Sequence, residues 1–115
     1  LAEDAWKLAP EAENWPRTLT SRYTDGEDPV FLHGVTTSEE LKIPVLLAEY
    51  TGKTNYLASA LNAMRKTERD HLLPDGCISS TEQTRGNSVH WGHETCNVTD
   101  FSWSLGYFLE ATGDA

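Results

Sequence analysis

Two amphipathic segments of this chain close in the same way, and this shared ending constrains the fold more than any other feature. Residues 48–53 (AEYTGK) and 109–114 (LEATGD) both place Thr-Gly after apolar residues with helical spacing. A glycine just after the last helical turn readily takes the left-handed conformation that ends a helix. Helix pairs in repeat proteins bury their apolar faces against neighbouring pairs. The pattern therefore predicts either an array of helix pairs or two unrelated helices that share a common cap.

Helical spacing of apolar residues predicts three helices after residue 34. The first is expected to follow Thr37 or Ser38 as its N-cap, because a hydroxyl there can accept a backbone hydrogen bond. The two glutamates that come next would then lie in the first turn, where negative charge is favourable. Pro44 should kink this helix or start a new one, since proline lacks the N–H group that a helix interior requires.

The second and third helices are predicted over about residues 55–72 and 98–112. Their apolar stripes are Leu57, Ala60, Leu61, Met64 and His71 in the second helix and Val98, Phe101, Leu105 and Phe108 in the third. The charged residues from Arg65 to Asp70, Lys66 among them, are expected on the solvated side. Residues 73–93 form a long loop rich in Ser, Thr, Gly and Asn, and such loops in compact domains are usually functional or disordered.

The chain as a whole is expected to be an all-α domain, with helix-pair repeats and the long loop over residues 35–115. Residues 1–34 are expected to be an irregular lead-in, with a short helix over residues 2–9. The chain begins at Leu1 rather than Met, so we expect its start to lie inside a longer product.

Charge excludes two classes of partner. The chain has 9 basic and 18 acidic residues, a formal net charge of −9. Nucleic acids and anionic membrane surfaces both require clustered Lys and Arg, which the sequence lacks. No apolar run reaches the length of a membrane span. We therefore expect neither nucleic acid nor membrane as a partner.

Candidate chemistry lies where the long loop meets the third helix. Glu94 and Cys96 carry a carboxylate and a thiol, both of which are zinc ligands. Glu82 adds a second carboxylate earlier in the same loop. Cysteine is also common in cores for packing reasons alone, and two donors do not complete a metal site. In an oxidising compartment Cys96 could instead pair with Cys77, and both alternatives stay open.

The order and spacing of several motifs resemble glycoside hydrolase family 127, the β-L-arabinofuranosidase family and its relatives. The resemblance covers about residues 30–115. The motifs are His33-Gly34-Val35, Leu41-Lys42 with Pro44, Tyr50-Thr51-Gly52, Ser80-Thr81-Glu82, Gly92-His93-Glu94-Thr95-Cys96 and Leu109-Glu110-Ala111-Thr112-Gly113-Asp114. The Glu-x-Cys motif before a helix that ends in Thr-Gly-Asp is the most specific of these.

The resemblance implies part of an (α/α)6 helical barrel and a retaining hydrolase of β-L-arabinofuranosides or related sugars. Glu82, twelve residues before Glu94, matches the general acid/base position in one branch of the family, and His33 matches a histidine that contacts the sugar. Glu94 and Cys96 match two of the four zinc ligands. The family's other two zinc ligands are adjacent cysteines further along the chain, one of them the nucleophile. This sequence has no Cys-Cys pair, so its zinc site is incomplete, and the nucleophile is expected in the remainder of the parent chain.

Three functions remain open at this point. The first is a piece of a retaining glycosidase, inactive without its nucleophile. The second is a non-catalytic carbohydrate-binding or assembly module built on the same helical array. The third is a lyase or an epimerase on the same barrel, because a fold alone does not fix a function.

Overall fold

A computed structural model describes residues 3–4, 21–30 and 32–113 of the chain. Its helices are α1 (Ser21–Asp25), α2 (Gly34–Glu40), α3 (Lys42–Thr51), α4 (Thr54–His71) and α5 (Thr95–Thr112). Residues 3 and 4 are also helical, and the rest of the helix expected over residues 2–9 lies outside the described residues. The described part is mostly helical and has no strands, in agreement with the expected all-α class.

Helix α2 begins earlier than expected. His33 is its N-cap, because ring atom Nδ1 accepts a hydrogen bond from the Thr36 N–H group at 3.3 Å. The prediction that Thr37 or Ser38 caps the helix is wrong, since both lie inside α2 and are buried. Thr37 donates its hydroxyl hydrogen to the His33 carbonyl, 2.9 Å away. The two glutamates that follow therefore end the helix rather than begin it.

Pro44 lies in the first turn of a new helix. Helix α2 ends at Glu40, and α3 starts at Lys42 after a break at Leu41. Proline is tolerated in a first turn because the N–H groups there have no partner within the helix. The expectation that Pro44 starts a new helix is confirmed.

Both Thr-Gly endings form the predicted caps. Gly52 and Gly113 have φ angles of 70° and 71°, and their N–H groups bond to Ala48 and Leu109 at 2.8 Å. A side chain in that conformation costs about 1–2 kcal/mol, which explains glycine at both positions. The two caps agree with a helix-pair repeat and equally with two independent helices.

Helix α3 lies at the centre of the described part. It contacts both α4 and α5, while α2 packs on α5 and α1 on α4. The core comprises Val30, Leu32, Leu41, Val45, Leu47, Tyr56, Ala60, Ala63, Met64, Ile78, Phe101 and Phe108. The described residues before α2 supply α1 and two fully buried core side chains, Val30 and Leu32.

Leu61 and Leu105 were expected in the buried apolar stripes, but instead they line an open groove between α4 and α5. They are 45% and 38% exposed. The groove has a volume of about 550 Å³, and Met64 and Phe108 form its floor. Helix α4 packs on α3 and α1, and α5 packs on α2 and α3, so part of each predicted stripe remains uncovered. None of the helices in the described ranges combines the length and hydropathy that crossing a bilayer requires.

Lys66 is fully buried, so its expected place on the solvated side of α4 is wrong. Its ammonium group donates hydrogen bonds to the carbonyls of Tyr23, Gly26 (2.7 Å) and Asp28 (2.8 Å). Burial lowers the pKa of Lys66, and the negative charges of Glu27 and Asp28 act in the opposite direction. One cation therefore binds carbonyls within α1 and just after it, and so joins this segment to α4.

We expect Lys66→Met to lower the free energy of unfolding by about 3 kcal/mol, because three carbonyls lose their buried donor. Arg65→Met is the matched control. Arg65 is exposed and pairs with exposed Glu27 at 3.3 Å, so its loss should cost less than about 1 kcal/mol. Urea titration of both variants measures the difference. Equal losses in the two variants would contradict the structural role given to Lys66.

His71 is a buried histidine with a fixed tautomer. Its Nδ1 accepts a hydrogen bond from the Gly86 N–H group at 3.0 Å, and its Nε2 lies 2.9 Å from the Val30 carbonyl. Because Nδ1 is an acceptor, the neutral ring carries its hydrogen on Nε2 and donates it to Val30. Burial lowers the pKa of His71, while the Val30 carbonyl and Asp70 partly oppose the shift.

This pKa shift makes stability depend on pH. The unfolded chain takes up a proton at His71 near pH 6.5, whereas the folded chain takes it up only at lower pH. The contribution of neutral His71 to the free energy of unfolding should therefore be complete above about pH 6.5. Below that pH the free energy of unfolding should fall, by up to about 1.4 kcal/mol per pH unit. His71→Gln should show a shallower fall between pH 6.5 and 5, and exposed His90→Gln should follow the wild type. Identical pH profiles for His71→Gln and wild type would contradict this.

Candidate active site

The loop between α4 and α5 is fastened to the segment that leads into α2. Thr84 donates its backbone N–H to the Leu32 carbonyl at 3.0 Å, and Gly34 donates its N–H to the Glu82 carbonyl at 2.7 Å. The backbone of residues 82–84 is thus bonded at both ends to buried residues, Gly34 and Leu32. The attachment brings the loop residue Glu82 next to the first turn of α2.

Glu82 has a strained backbone. Its φ angle is 70°, and among the described residues it is the one non-glycine position with positive φ. The neighbours on either side of it approach each other, because Thr81 donates its N–H to the Gln83 carbonyl at 3.1 Å. The Glu82 side chain is 68% exposed at the tip of this tight turn. Such strain concentrates at functional sites, where the surrounding structure maintains it.

His33 and Glu82, two of the predicted site residues, are neighbours. His33 Nε2 lies 3.6 Å from Glu82 Oε2, and the His33 side chain is 18% exposed. Because His33 Nδ1 accepts the N-cap hydrogen bond from Thr36, the neutral ring carries its hydrogen on Nε2, facing the carboxylate. This distance is longer than that of a direct hydrogen bond. The carboxylate still lies close enough for an electrostatic interaction with the ring N–H group.

Glu94 is tied to the same loop through Ser80. The Ser80 hydroxyl donates a hydrogen bond to Glu94 Oε2 at 3.0 Å, and the Ser80 N–H group donates to the Gly92 carbonyl at 3.0 Å. Ser80 is fully buried, and Glu94 is half-buried. Since Ser80 precedes Glu82 by two residues, one short segment carries Glu82 and anchors Glu94.

Cys96 lies in the first turn of α5 and is an exposed free thiol. Cys77 is a half-buried free thiol, so the disulfide between the two that the sequence left open is not formed. Burial raises the pKa of the Cys77 thiol, and the nearby charge of Asp75 raises it further. Cys77 is therefore held in the unreactive thiol form.

Zinc requires more donors than this part of the chain assembles. Across residues 3–4, 21–30 and 32–113 there is no group of three or more His, Cys, Asp or Glu side chains arranged to hold a metal ion. Glu94 and Cys96 supply two donors, whereas catalytic zinc takes at least three from the protein and structural zinc takes four. These residues do not by themselves fit a zinc ion.

Sequence patterns did not single out the residues that organise this site. Ser80 carries the hydrogen bond to Glu94, and Gly34 holds the Glu82 carbonyl. Both belong to motifs that the family resemblance includes, yet neither has a side chain that suggests chemistry. Asp75 lies 3.5 Å from His93, a second pair that spacing did not indicate.

Comparisons of the chain with family models, with curated proteins and with solved structures gave no match. The resemblance to the arabinofuranosidase family therefore depends on the sequence motifs, and the roles it implies stay predictions.

The strained turn at Glu82 leads to a direct test. Glycine adopts positive φ without steric penalty, whereas alanine does not. Both variants lose the same carboxylate, so the comparison between them reports the backbone. The free energy of unfolding of Glu82→Gly should therefore be about 1 kcal/mol higher than that of Glu82→Ala. Chemical denaturation of the two variants measures this difference. The opposite order would show that the backbone at residue 82 is not strained.

Proposed function

We propose that this chain is part of a retaining glycoside hydrolase that acts on β-L-arabinofuranosides or related sugars, with Glu82 as the general acid/base. The observation that carries the proposal is the placement of Glu82, whose exposed carboxylate stands on a strained turn beside His33. An acid/base group must be open to substrate and yet held in one position. The attachment of the loop to Gly34 meets the second requirement.

The proton steps follow from the chemistry of a retaining glycosidase. In the first step, protonated Glu82 gives its hydrogen to the glycosidic oxygen as the bond to the sugar breaks. In the second, the Glu82 carboxylate takes a proton from the water that releases the sugar from the enzyme. The nucleophile that holds the sugar between these steps is, in this proposal, a cysteine in the remainder of the parent chain.

His33 supports these steps in two ways. Its Nε2–H group faces the Glu82 carboxylate, so it can stabilise the charged form after proton transfer. When a sugar is bound, the same N–H group can donate instead to a sugar hydroxyl, because the neutral ring has one hydrogen to give. Glu94 and Cys96 are proposed as the chain's share of a zinc site whose other donors lie elsewhere in the protein.

The open groove between α4 and α5 favours a second candidate, a non-catalytic carbohydrate-binding or assembly module. Leu61 and Leu105 are 45% and 38% exposed there, above an apolar floor of Met64 and Phe108, and exposed apolar patches mark interaction sites. A protein of this kind would bind a sugar or another protein and would not hydrolyse a glycoside. Hydrolysis of a β-L-arabinofuranoside by the protein at its full encoded length separates the two candidates.

The acid/base assignment predicts a specific pattern of lost activity in the protein at its full encoded length. Glu82→Gln should slow hydrolysis of a natural disaccharide by at least ~10², because the leaving oxygen loses its proton donor. The first half-reaction should slow much less with an activated aryl glycoside, whose leaving group needs no proton. Single-turnover release of the aryl group measures that half-reaction.

Glu49→Gln is the matched control, since Glu49 is an exposed carboxylate on α3 outside this site. It should leave both substrates unaffected. Glu82→Gln turning over the disaccharide within a few-fold of wild type would reject the assignment.

A further inference from the structure

Ser80 occupies a space that a side chain at position 34 would need. A β-carbon on Gly34 would lie 2.0 Å from Ser80 Oγ and 2.4 Å from Ser80 Cβ. Both residues are buried, so neither can move aside into solvent. Glycine at position 34 is thus required by the packing of Ser80, independently of its position in the first turn of α2.

The same serine points at a carboxylate. A hydroxyl has one hydrogen to donate, and Ser80 gives it to Glu94 Oε2 at 3.0 Å. The Ser80 side chain packs against Gly34, and the Ser80 backbone N–H donates to the Gly92 carbonyl. Glu94 therefore receives its hydrogen bond from a buried serine whose backbone and side chain are both in contact with other parts of the chain.

Gly34 connects this contact to Glu82. Its N–H group donates to the Glu82 carbonyl at 2.7 Å, while its Cα side accommodates Ser80. One residue of α2 therefore sets the place of the Glu82 backbone and of the donor to Glu94. A displacement of Gly34 relative to the loop would change both at once.

We propose that Ser80 is a positioning residue, which fixes the Glu94 carboxylate at a set separation from Glu82, and that Gly34 is glycine to admit it. The consequence for turnover rests on the function proposed above. The geometric part does not, because it concerns contacts within this chain. A serine that only filled space would make the same contact with Gly34 but would not need its hydroxyl.

A size exchange between the two positions separates these roles. Gly34→Ala should lower the unfolding temperature, because its β-carbon meets Ser80. Adding Ser80→Gly removes the obstructing atoms and leaves Ser80 Cα at an ordinary 3.5 Å from that β-carbon. The double variant should therefore recover most of the lost stability while still lacking the hydroxyl.

Measurements of turnover then show the effect of losing the Ser80 hydroxyl separately from the effect on stability. In the protein at its full encoded length, Ser80→Ala and the double variant should both lower kcat by about tenfold or more, with KM within about twofold, because a misplaced group near the reacting atoms slows chemistry. Ser104→Ala is the matched control. Ser104 is buried and donates its hydroxyl hydrogen to the Ser38 carbonyl, outside this site. It should lose stability and keep its kcat. A double variant with wild-type kcat would overturn the proposal.

A double-mutant cycle tests the contact even if the protein is no glycosidase. Ser80→Ala, Glu94→Ala and their combination are compared by chemical denaturation of the same full-length protein. The two changes should be coupled by about fivefold in the unfolding equilibrium constant, as expected for one hydrogen bond. Coupling without any glycosidase activity would reject the proposed function and retain the positioning role. Strictly additive effects would reject the positioning role itself.

Discussion

The attachment of the α4–α5 loop to residues 30–34 is the constraint on which the rest of the site depends. Thr84 bonds to Leu32, and Gly34 bonds to Glu82, so two backbone links hold the loop against the start of α2. His71 adds a third link, because its ring bridges the loop at Gly86 to the Val30 carbonyl. Without these links, Glu82 and His33 would not be neighbours, and the positive φ at residue 82 would relax.

Several contacts between helices are hydrogen bonds from buried polar side chains to backbone carbonyls. Lys66 fastens the end of α1 to α4, and Ser104 fastens α5 to α2. Asn97 donates to the Ile78 carbonyl at 2.7 Å and so anchors the first turn of α5 beside the loop. A buried donor left without its acceptor costs about 1–3 kcal/mol. Such bonds therefore fix helices in one register, which apolar contacts alone specify less strictly.

Features set by local sequence could be predicted, and features set by distant contacts could not. The bounds of α4 and α5 fall within about three residues of those expected, because helical spacing and glycine caps are local signals. The N-cap at His33 is a local contact with Thr36, but histidine is not among the residues that usually cap helices. The burial of Lys66 depends on segments far away in the sequence. The same is true of the contact between Ser80 and Gly34, which only the folded chain brings together. Within the site, sequence motifs indicated Glu82, His33, Glu94 and Cys96 but not the serine that links two of them.

Chemical rescue by azide tests the central claim, that Glu82 is the acid/base, most directly. Azide is a nucleophile that needs no base to remove a proton, so it can replace the water that Glu82 would activate. In the full-length protein, Glu82→Ala should hydrolyse an activated aryl β-L-arabinofuranoside slowly, and azide should accelerate it. The product should be an arabinofuranosyl azide with the β configuration of the substrate. A Glu82→Ala variant that azide does not accelerate, or whose azide product has the inverted configuration, would contradict the account.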